Sequence, residues 1–416
     1  MIRWLCLITL TLTAPPLAAA DWPEFRGPGG TGVYAGKPLV TEWGVEKNVT
    51  WKTPLPGVAW SSPVAVGGKL FLTTAVPTTN GDRTDFSLRT MCVDRAVGNI
   101  VWDVELFVEK TDATPQPHKK NSHASPTPVS DGKHVWVHFG HMGTACLDLA
   151  GKVIWKTQEL GYDPLHGNGN SPILVDDLLV FAIDGKTVTS LVALDQKTGE
   201  VRWRTKRETS AVLMFSFATC LLIEHAGTRM IVSPAANFCI GYDPKSGKEL
   251  WRVKYPKPGW SLIAPPIYAH GLVFVATGYV NQHLIAFKPE GTGDITANVV
   301  WQTKRDAPNT PTPQVVGDEL YMLSDAGILT CLDAKTGKVH YAERLAGKSY
   351  SASPILAANT MYFTSEDGVG QVVAVGKEFK EVARSELKEK TFATFVPVDG
   401  ALFVRTESQL YRFDPK

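Results

Sequence analysis

The sequence has almost no excess of charge: 42 Lys and Arg stand against 41 Asp and Glu, and the formal net charge is +1. It also lacks any extended basic run. Proteins that bind nucleic acids normally concentrate Lys and Arg on one face. The composition therefore argues against the common classes of nucleic-acid-binding protein, and we expect no nucleic-acid partner.

Long hydrophobic runs are missing as well, apart from one near the amino terminus. Residues 4–12 form an apolar stretch, shorter than the roughly 20 residues needed to span a bilayer. Arg3 precedes this stretch and the small residues 18–20 follow it, which is the pattern of a cleavable signal peptide. We therefore expect residues 1–20 to be a signal peptide. The mature chain should be exported to the periplasm or outside the cell, as a soluble protein without a transmembrane segment.

Motifs of hydrolytic chemistry are absent too. There is no GxSxG nucleophile elbow, no HExxH metal motif and no nucleophile with an evident base. Cysteine is scarce, because the chain has 6 and one of them, Cys6, lies in the predicted signal peptide. We predict no catalytic residue from the sequence.

What the sequence does contain is a repeat. Eight times a turn residue pair is followed by a short apolar run of strand type, such as Gly67-Gly68 before KLFLTT. The second turn residues are Gly68, Gly132, Asp177, Gly227, Gly271, Asp318, Asn359 and Gly400, at spacings of 64, 45, 50, 44, 47, 41 and 41. A period of about 40–50 residues built from strands and tight turns is typical of a β-propeller. We predict an all-β fold, an eight-bladed β-propeller of four-stranded antiparallel blades.

The second half of six units repeats an aspartate, a turn glycine and a tryptophan, with a looser copy before Trp301 and with Tyr341 in place of the tryptophan in the sixth. The clearest copy has Asp195, Gly199 and Trp203. The aspartate accepts hydrogen bonds from turn amides, the glycine adopts a positive φ, and the tryptophan offers a flat surface for packing one blade on the next. This ALDxxTGxxxW pattern resembles the repeat of propellers named after pyrroloquinoline quinone (PQQ) enzymes, over about residues 49–414. Residues 21–28 are similar to the start of exported bacterial members.

The resemblance implies a fold more than an activity. The PQQ-like repeat occurs in quinoprotein dehydrogenases and also in the propeller lipoprotein of the outer-membrane β-barrel assembly machinery. It therefore implies either an enzyme with a bound quinone or a protein that only binds partners.

The last repeat is one strand short. It ends with residues 409–413, whereas residues 49–52 precede the first repeat and place Trp51 where the other units have tryptophan. We predict that this N-terminal strand completes blade eight and closes the ring, because an open sheet edge invites pairing with other chains. We expect a monomer with three regions: a signal peptide (1–20), an N-terminal arm (21–48) and the propeller (49–416).

The five remaining cysteines should be free. Cys92, Cys146 and Cys331 share one repeat position, where other units have Ala or Gly, so this position requires a small buried residue. Cys220 and Cys239 should lie on the first and third strands of one blade, which are about 9.6 Å apart. This separation is too long for a disulfide, and we predict none.

The loops that enter the innermost strand of each blade should gather at one end of the channel. Their small polar residues alternate with aromatics, which indicates a polar-rimmed funnel able to bind a ligand. The same residues would also suit tight packing around a narrow axis, and the sequence leaves both interpretations open. The candidate ligand-binding residues, on these loops and one neighbouring turn, are Trp60, His118, Lys120, His123, His141, His166, Asn168, Asn170, Trp260, Asn309 and Tyr350.

Histidines concentrate in this part of the chain. Five of the 10 fall between His118 and His141, and His166 follows. His118, His123, His141 and His166 should share the channel-entry face, where they suit an anion, a carboxylated ligand or a metal. The four have no HxH or HxxxH spacing, and we predict no metal site.

A quinoprotein dehydrogenase would need PQQ in the funnel, a Ca²⁺ ion with carboxylate and amide ligands, and a catalytic aspartate. The sequence has no adjacent cysteine pair of the kind that many of those enzymes carry, and no long insertion to enclose a quinone. We therefore interpret the chain as a non-enzymatic exported scaffold without a cofactor, which binds a protein, peptide or glycan through the channel-entry face. The alternative is a PQQ-dependent oxidoreductase that holds PQQ and calcium in the funnel.

Overall fold

Eight four-stranded antiparallel sheets surround a central axis and form an eight-bladed β-propeller, as predicted. The computed structural model describes residues 21–80, 83–110, 117–209, 211 and 213–416. None of the helices in these ranges has the length and apolar character needed to cross a bilayer. In blades one to seven the strands follow one another along the chain from the channel outwards.

Two strands precede the first blade, β1 (Val33–Tyr34) and β2 (Val49–Pro54). Blade one consists of β3 (Val64–Val66), β4 (Lys69–Asn80), β5 (Arg83–Asp94) and β6 (Ile100–Glu109), and blade two of β7 (Val129–Ser130), β8 (His134–His138), β9 (Thr144–Asp148) and β10 (Val153–Thr157). Blade three consists of β11 (Ile173–Val175), β12 (Leu178–Asp184), β13 (Thr189–Asp195) and β14 (Val201–Lys206), and blade four of β15 (Leu221–His225), β16 (Thr228–Ala235), β17 (Phe238–Tyr242) and β18 (Glu249–Lys254).

Blade five consists of β19 (Ile267–Ala269), β20 (Leu272–Ala276), β21 (Leu284–Phe287) and, after the short β22 (Gly293–Asp294), β23 (Val299–Thr303). Blade six consists of β24 (Gln314–Val316), β25 (Glu319–Leu323), β26 (Ile328–Asp333) and β27 (Val339–Arg344), and blade seven of β28 (Ile355–Ala357), β29 (Thr360–Thr364), β30 (Val369–Ala374) and β31 (Glu381–Glu386). Blade eight contains β32 (Val396–Val398), β33 (Ala401–Arg405) and β34 (Gln409–Phe413). Short 3-10 turns lie at Pro28–Gly30, Gly140–Met142 and Thr296–Asn298. β22 pairs with β18 of blade four, and β1 pairs with β28 of blade seven.

Burial follows the position of a strand within its blade. The second strand of blade three, β12, is buried at all seven positions because neighbouring blades cover both of its faces. The outermost strand of the same blade, β14, alternates between exposed and half-buried residues, since one face meets solvent. The core is therefore a set of interfaces between blades.

The ring closes as predicted. β2 pairs antiparallel with β34, with Val49 opposite Phe413 and Pro54 opposite Gln409, and so supplies the fourth strand of blade eight. Blade eight thus combines both ends of the propeller, and the two chain ends hold each other in the sheet.

Repeat tryptophans fasten five of the blades to the next one. The Trp155 indole N–H donates to the carbonyl of Gln196 at 2.8 Å, directly after the turn aspartate of the next blade. A Cβ added to the turn glycine, Gly199, would lie 2.5 Å from the Trp155 ring, so only glycine fits beneath it. The same indole-to-turn contact is made by Trp51 to Arg95, Trp102 to Leu149, Trp203 to Pro244 and Trp301 to Ala334.

A second fastening surrounds the channel. Two residues before the first strand of each blade stands a Ser or Thr, except for Pro265 in blade five. We call these eight positions the hydroxyl belt. Backbone N–H groups donate to the next hydroxyl oxygen at 2.9–3.1 Å from Ser62 to Thr127, Thr127 to Ser171, Ser171 to Thr219, Thr312 to Ser353, Ser353 to Thr394 and Thr394 to Ser62. Proline has neither an N–H nor a hydroxyl, so the belt is interrupted only beside Pro265.

The N-terminal segment crosses the opposite end of the ring from the entry loops. Trp22 pairs with Ala65 of blade one, and the hydroxyl of Tyr34 accepts the N–H of Gly400 in blade eight at 2.7 Å. Between them, Phe25 lines the bottom of the central cavity. Trp22 and Trp43 are both 2% exposed. Residues 21–48 therefore lie across the ring and cover the lower end of its channel.

Blade one differs from the sequence-based expectation. From the sequence we expect long loops at residues 77–86 and 103–122, but β4 and β5 have 12 residues each, and β6 has 10 and ends only at Glu109. The outer three strands of this blade therefore continue past the ends of the neighbouring blades as a β-sheet extension.

Ring closure predicts the effect of truncating Trp51. Trp51→Ala should lower the free energy of unfolding by about 3 kcal/mol, the low end for a buried tryptophan, because Trp51 is half-buried. Urea unfolding measures the change. Lys52→Ala on the same strand is the control and should change stability by less than about 0.5 kcal/mol, since Lys52 is exposed. Equal stability of the two variants would contradict the closure by β2.

The cysteines give a second prediction. Cys92, Cys146, Cys220, Cys239 and Cys331 are all free and buried, and burial raises the pKa of each thiol. We expect a thiol reagent to count five thiols in denatured residues 21–416 without reductant, and almost none in the folded protein. A count below five would show that a disulfide exists.

Candidate functional site

A cavity of about 720 Å³ occupies the end of the channel where the chain enters the innermost strands. We call this cavity the funnel and this end of the ring the entry face. From the solvent inwards the funnel has a polar rim, a ring of mixed side chains, the hydroxyl belt and, at its bottom, Phe25. Its volume is in the range usual for small-molecule sites.

The ring of mixed side chains, which we call the wall ring, is formed four residues before the first strand of every blade. Blades eight and one contribute Phe392 and Trp60, and blades four and five contribute Phe217 and Ile263. The remaining positions are small: Ser125, Gly169, Thr310 and Ser351. The two bulky pairs come from opposite sides of the ring, so the space between them is a slot with apolar long walls and small polar ends.

Two polar atoms in the funnel wall have no partner. Trp60 packs on Phe392 with ring centroids 4.4 Å apart, and its indole nitrogen donates to no group in the described chain. The side-chain oxygen of Asn309 likewise accepts no hydrogen bond. A buried polar atom without a partner is costly, and a bound ligand or water would satisfy both atoms.

The rim on the side of blades two and three carries cationic and titratable groups. His118, Lys119, Lys120 and His166 all line the funnel. The rings of His118 and His166 are 5.7 Å apart, and the N–H of His118 donates to the carbonyl of His166. Burial lowers the pKa of His166, and the neighbouring His118 lowers it further. No carboxylate of the described residues pairs with Lys119.

Lys120 reaches across the funnel. Its ammonium group is 2.7 Å from Glu366 and 3.2 Å from the hydroxyl of Ser349, both on the blade-seven side of the rim. Asn121 holds the base of the same loop by donating to the carbonyl of His166 at 2.9 Å. Residues 117–121 therefore cross part of the mouth and join non-adjacent blades.

The eleven residues proposed from the sequence separate into two groups. Those that line the funnel are Trp60, His118, Lys120, His166 and Asn309. Those that do not line it are His123, His141, Asn168, Asn170, Trp260 and Tyr350.

The second group has structural contacts. Tyr350 is fully buried and donates to the carbonyl of Ala346. Asn168 accepts the hydroxyl hydrogen of Tyr162 at 2.7 Å, and Asn170 donates to the carbonyl of Ala182 at 2.9 Å. The carbonyl of Trp260 supports a rim loop by accepting the N–H of Tyr279 at 3.0 Å.

His123 and His141 belong to a buried polar cluster beside blade one. His123 is 8% exposed and packs against Phe86 in a tilted arrangement with ring centroids 4.4 Å apart, and its Nε2 has no partner among the described residues. His141 Nε2 is 3.9 Å from Glu109, and neither of its ring nitrogens is hydrogen-bonded. Burial lowers the pKa of His141 to about 4 and raises the pKa of Glu109 to about 7. Near neutral pH the histidine is therefore uncharged.

The sequence did not identify several funnel residues. Phe217, Phe392, Tyr279 and Gln282 line the cavity, and Tyr279 is 64% exposed. Phe217 and Phe392 were detectable, because they occupy the same position relative to the first strand as Trp60 does in blade one. Tyr279 and Gln282 lie on a turn between second and third strands, which varies from blade to blade and carries no repeat signal.

The acids of the entry face do not fit a calcium-bound quinone. Among the described lining residues the one carboxylate is Asp325. Its oxygens accept the N–H groups of Asn309 and Thr310 and the Thr310 hydroxyl at 2.6–3.2 Å. Glu366 is held by Lys120 and by the hydroxyl of Ser351. In the described ranges no three His, Cys, Asp or Glu side chains form a group able to hold a metal ion.

Glu109 predicts a pH dependence of stability. Because its pKa is raised from 4.5 to about 7 in the folded protein, folding favours the protonated carboxyl. This contribution is complete below pH 4.5 and is lost as the pH rises through 7. Relative to the wild type, Glu109→Gln should therefore gain stability between pH 5 and pH 8 in urea unfolding. A constant difference between the two proteins over this range would contradict the raised pKa.

The family model described as outer membrane protein assembly factor BamB, PQQ_2, matches residues 89–258 and 225–416. No curated protein sequence matches significantly.

Three solved structures are similar in fold. BamB from Moraxella catarrhalis has a TM-score of 0.58 and 11% identity, over 88% of this chain and 97% of that one. A europium-containing methanol dehydrogenase has a TM-score of 0.56 and 11% identity, over 95% and 98%. The computationally designed protein Ika8 has a TM-score of 0.55 and 9% identity, over 87% and 100%. These structural likenesses establish the fold and not the activity. The family model covers most of the propeller, and the chain therefore belongs to the PQQ_2 family of BamB-like PQQ-repeat β-propellers.

Proposed function

We propose that this protein is an exported, non-enzymatic binding protein whose funnel takes up part of a protein, peptide or glycan partner. The wall ring carries this proposal. Its two bulky pairs, Trp60 with Phe392 and Phe217 with Ile263, offer apolar surface on both long sides of one slot. An aromatic side chain or the face of a sugar ring would bury apolar area there, while the small polar ends leave room for the chain to continue.

The rim supports contact with a macromolecule. Tyr279 and Val280 are 64% and 47% exposed beside the funnel, although their loop is fixed in place. Gly278 has a φ of +90° and packs against the carbonyl of Trp260, and Asn281 donates to the carbonyl of Pro258 at 2.8 Å. A rigid loop that exposes an aromatic side chain loses little entropy on binding, as is typical of interface anchors.

The charge of the rim favours an anionic partner group. Lys119 has no carboxylate partner among the described residues, and His118 and His166 lie next to it. Lys120 is already neutralised by Glu366 at 2.7 Å. An acidic group of the partner near Lys119 would gain a charge-assisted hydrogen bond without displacing an internal one.

The functional alternative, a PQQ-dependent oxidoreductase, receives less support from the residues. Asp325 and Glu366, the acids nearest the funnel, already accept internal hydrogen bonds. A dehydrogenase would require a carboxylate with free lone pairs for calcium and another for proton removal. The binding role makes no such demand on them.

Binding to arrays of peptides and glycans tests the proposal. We expect ligands that bind the wild type, and that Trp60→Ala weakens by about 2 kcal/mol, roughly 30-fold, because an aromatic anchor is removed. Lys119→Ala should weaken acidic ligands selectively. Acidic ligands should also bind more tightly as the pH falls through the lowered pKa of His166, which becomes a cation only below 6.5.

Lys197→Ala is the matched control, because Lys197 lies on an exposed turn at the opposite end of blade three. It should bind every ligand as the wild type does. Binding that Trp60→Ala leaves unchanged would place the site elsewhere. A shift in the absorbance of PQQ with Ca²⁺, together with a raised melting temperature, would favour the oxidoreductase instead.

A further inference from the structure

Trp60 and Phe392 form an aromatic surface on one side of the funnel. Their ring centroids are 4.4 Å apart and the rings are inclined at 38°. Both side chains are half-buried and line the cavity. Because they stand on the adjacent blades one and eight, the two rings present one apolar surface, which we call the platform. Such a surface packs against another flat apolar group, either an aromatic side chain or the C–H face of a sugar ring.

Two hydroxyls with a free hydrogen accompany the platform. Ser62 and Thr394 each stand two residues after a platform residue and also line the funnel. The Ser62 oxygen accepts the N–H of Thr394 at 3.0 Å, and the Thr394 oxygen accepts the N–H of Ser353 at 3.1 Å. Neither hydroxyl donates to a group in the described part of the chain. Each therefore keeps a hydrogen that is available to a ligand oxygen.

Two further hydroxyls, on blades seven and six, have the opposite capacity. Ser351 and Thr310 line the funnel. Ser351 donates to Glu366 at 2.6 Å, and Thr310 donates to Asp325 at 2.6 Å. Their hydrogens are thus used, whereas no N–H of the described ranges donates to either oxygen, and the lone pairs remain available. Blades six, seven, eight and one are consecutive, so one sector of the funnel contains the platform, two free donors and two free acceptors.

We propose, on the basis of the binding role proposed above, that this sector holds a neutral sugar residue of a glycan. The C–H face of the sugar ring packs on the platform. Its hydroxyls accept from Ser62 and Thr394 and donate to Ser351. Thr310 lies one blade further on, where the next residue of the glycan meets it. The cavity of about 720 Å³ has room for this continuation.

The hydroxyls favour a sugar over the aromatic side chain of a peptide. A phenylalanine on the platform would cover the hydroxyls of Ser62 and Thr394 without accepting from them. A donor that loses water and gains no partner costs free energy. A sugar hydroxyl is a donor and an acceptor at once, so it matches both kinds of group in the sector. Asp325 and Glu366 are already hydrogen-bonded, which favours a neutral residue.

Saturation-transfer NMR and calorimetry test the sugar site in the intact mature chain. The probes are three neutral oligosaccharides, cellotriose, maltotriose and tri-N-acetylchitotriose. The peptides Gly-Phe-Gly-amide and Gly-Trp-Gly-amide form the comparison. At least one oligosaccharide should bind saturably and more tightly than either peptide. Saturation should be greatest at the C–H protons on one face of one sugar ring, because that residue lies on the platform.

Two leucine variants separate the platform from the rest of the fold. Phe392→Leu should weaken the bound oligosaccharide about tenfold, because leucine keeps apolar area but has no flat face. Phe379→Leu is the matched control, and it should bind as the wild type does. Phe379 is also half-buried, but it lies on the turn between the third and fourth strands of blade seven, at the opposite end of the ring.

Ser351→Ala tests the hydrogen bonds of the sugar. It should weaken the oligosaccharide about fivefold, because one neutral hydrogen bond is lost. An aromatic peptide makes no such bond, so its affinity should not change. The melting temperature of each variant shows whether it is folded.

The possible results separate the sugar site from the binding role of the funnel. If no oligosaccharide binds, while the peptides bind and Phe392→Leu weakens them, the sugar site is wrong and the binding role stands. If neither class binds, both proposals are wrong. Equal affinities of folded Phe392→Leu and Phe379→Leu for an oligosaccharide would also overturn the sugar site.

Discussion

A hydrogen bond from the backbone of one blade to a hydroxyl of the next, repeated around the channel, is the contact on which this structure depends. It acts between the inner ends of adjacent blades, where Ser or Thr stands two residues before the first strand, and it is interrupted only beside Pro265 of blade five. The repeat tryptophans of blades one, two, three, five and eight act at the outer end, where each indole donates to the turn of the following blade. With both ends fastened, adjacent sheets keep one spacing and one angle. The register of the entry loops, and so the composition of the funnel wall, follows from this geometry.

The sequence predicted the fold in detail and the site only in part. Turn pairs repeat in every blade, the Asp–Gly–Trp element repeats in several of them, and the missing strand of blade eight matched residues 49–52, so blade number and ring closure were readable. The entry loops are different, because neighbouring residues there point alternately into the channel and into the blade. Trp60 and Ser62 line the funnel, whereas Ser61 between them does not. Without the start of each first strand, Tyr350 could not be distinguished from a lining residue, although it is fully buried.

The long-range contacts of the rim were beyond sequence reasoning for another reason. Lys120 and Glu366 are 246 residues apart and belong to blades that are not neighbours. Nothing in either local sequence indicates the other. The same holds for Arg26 and Gln314, which meet because the N-terminal segment crosses the ring. Repeat units determine the architecture, whereas the residues that distinguish this protein from other propellers are those that break the repeat: the cationic loop of blade two, Tyr279 in blade five and Pro265 in the belt.

The central claim is that the hydroxyl belt holds the inner ends of the blades together as firmly as the sheets themselves. Native-state hydrogen exchange of its backbone amides, read by fragmentation mass spectrometry, tests this directly. Ser62, Thr127, Ser171 and Thr394 lie outside the strands, yet their amides should exchange only through global unfolding, as slowly as those of β12. Exchange of these four amides at the rate of the exposed turns, while β12 stays protected, would contradict the account.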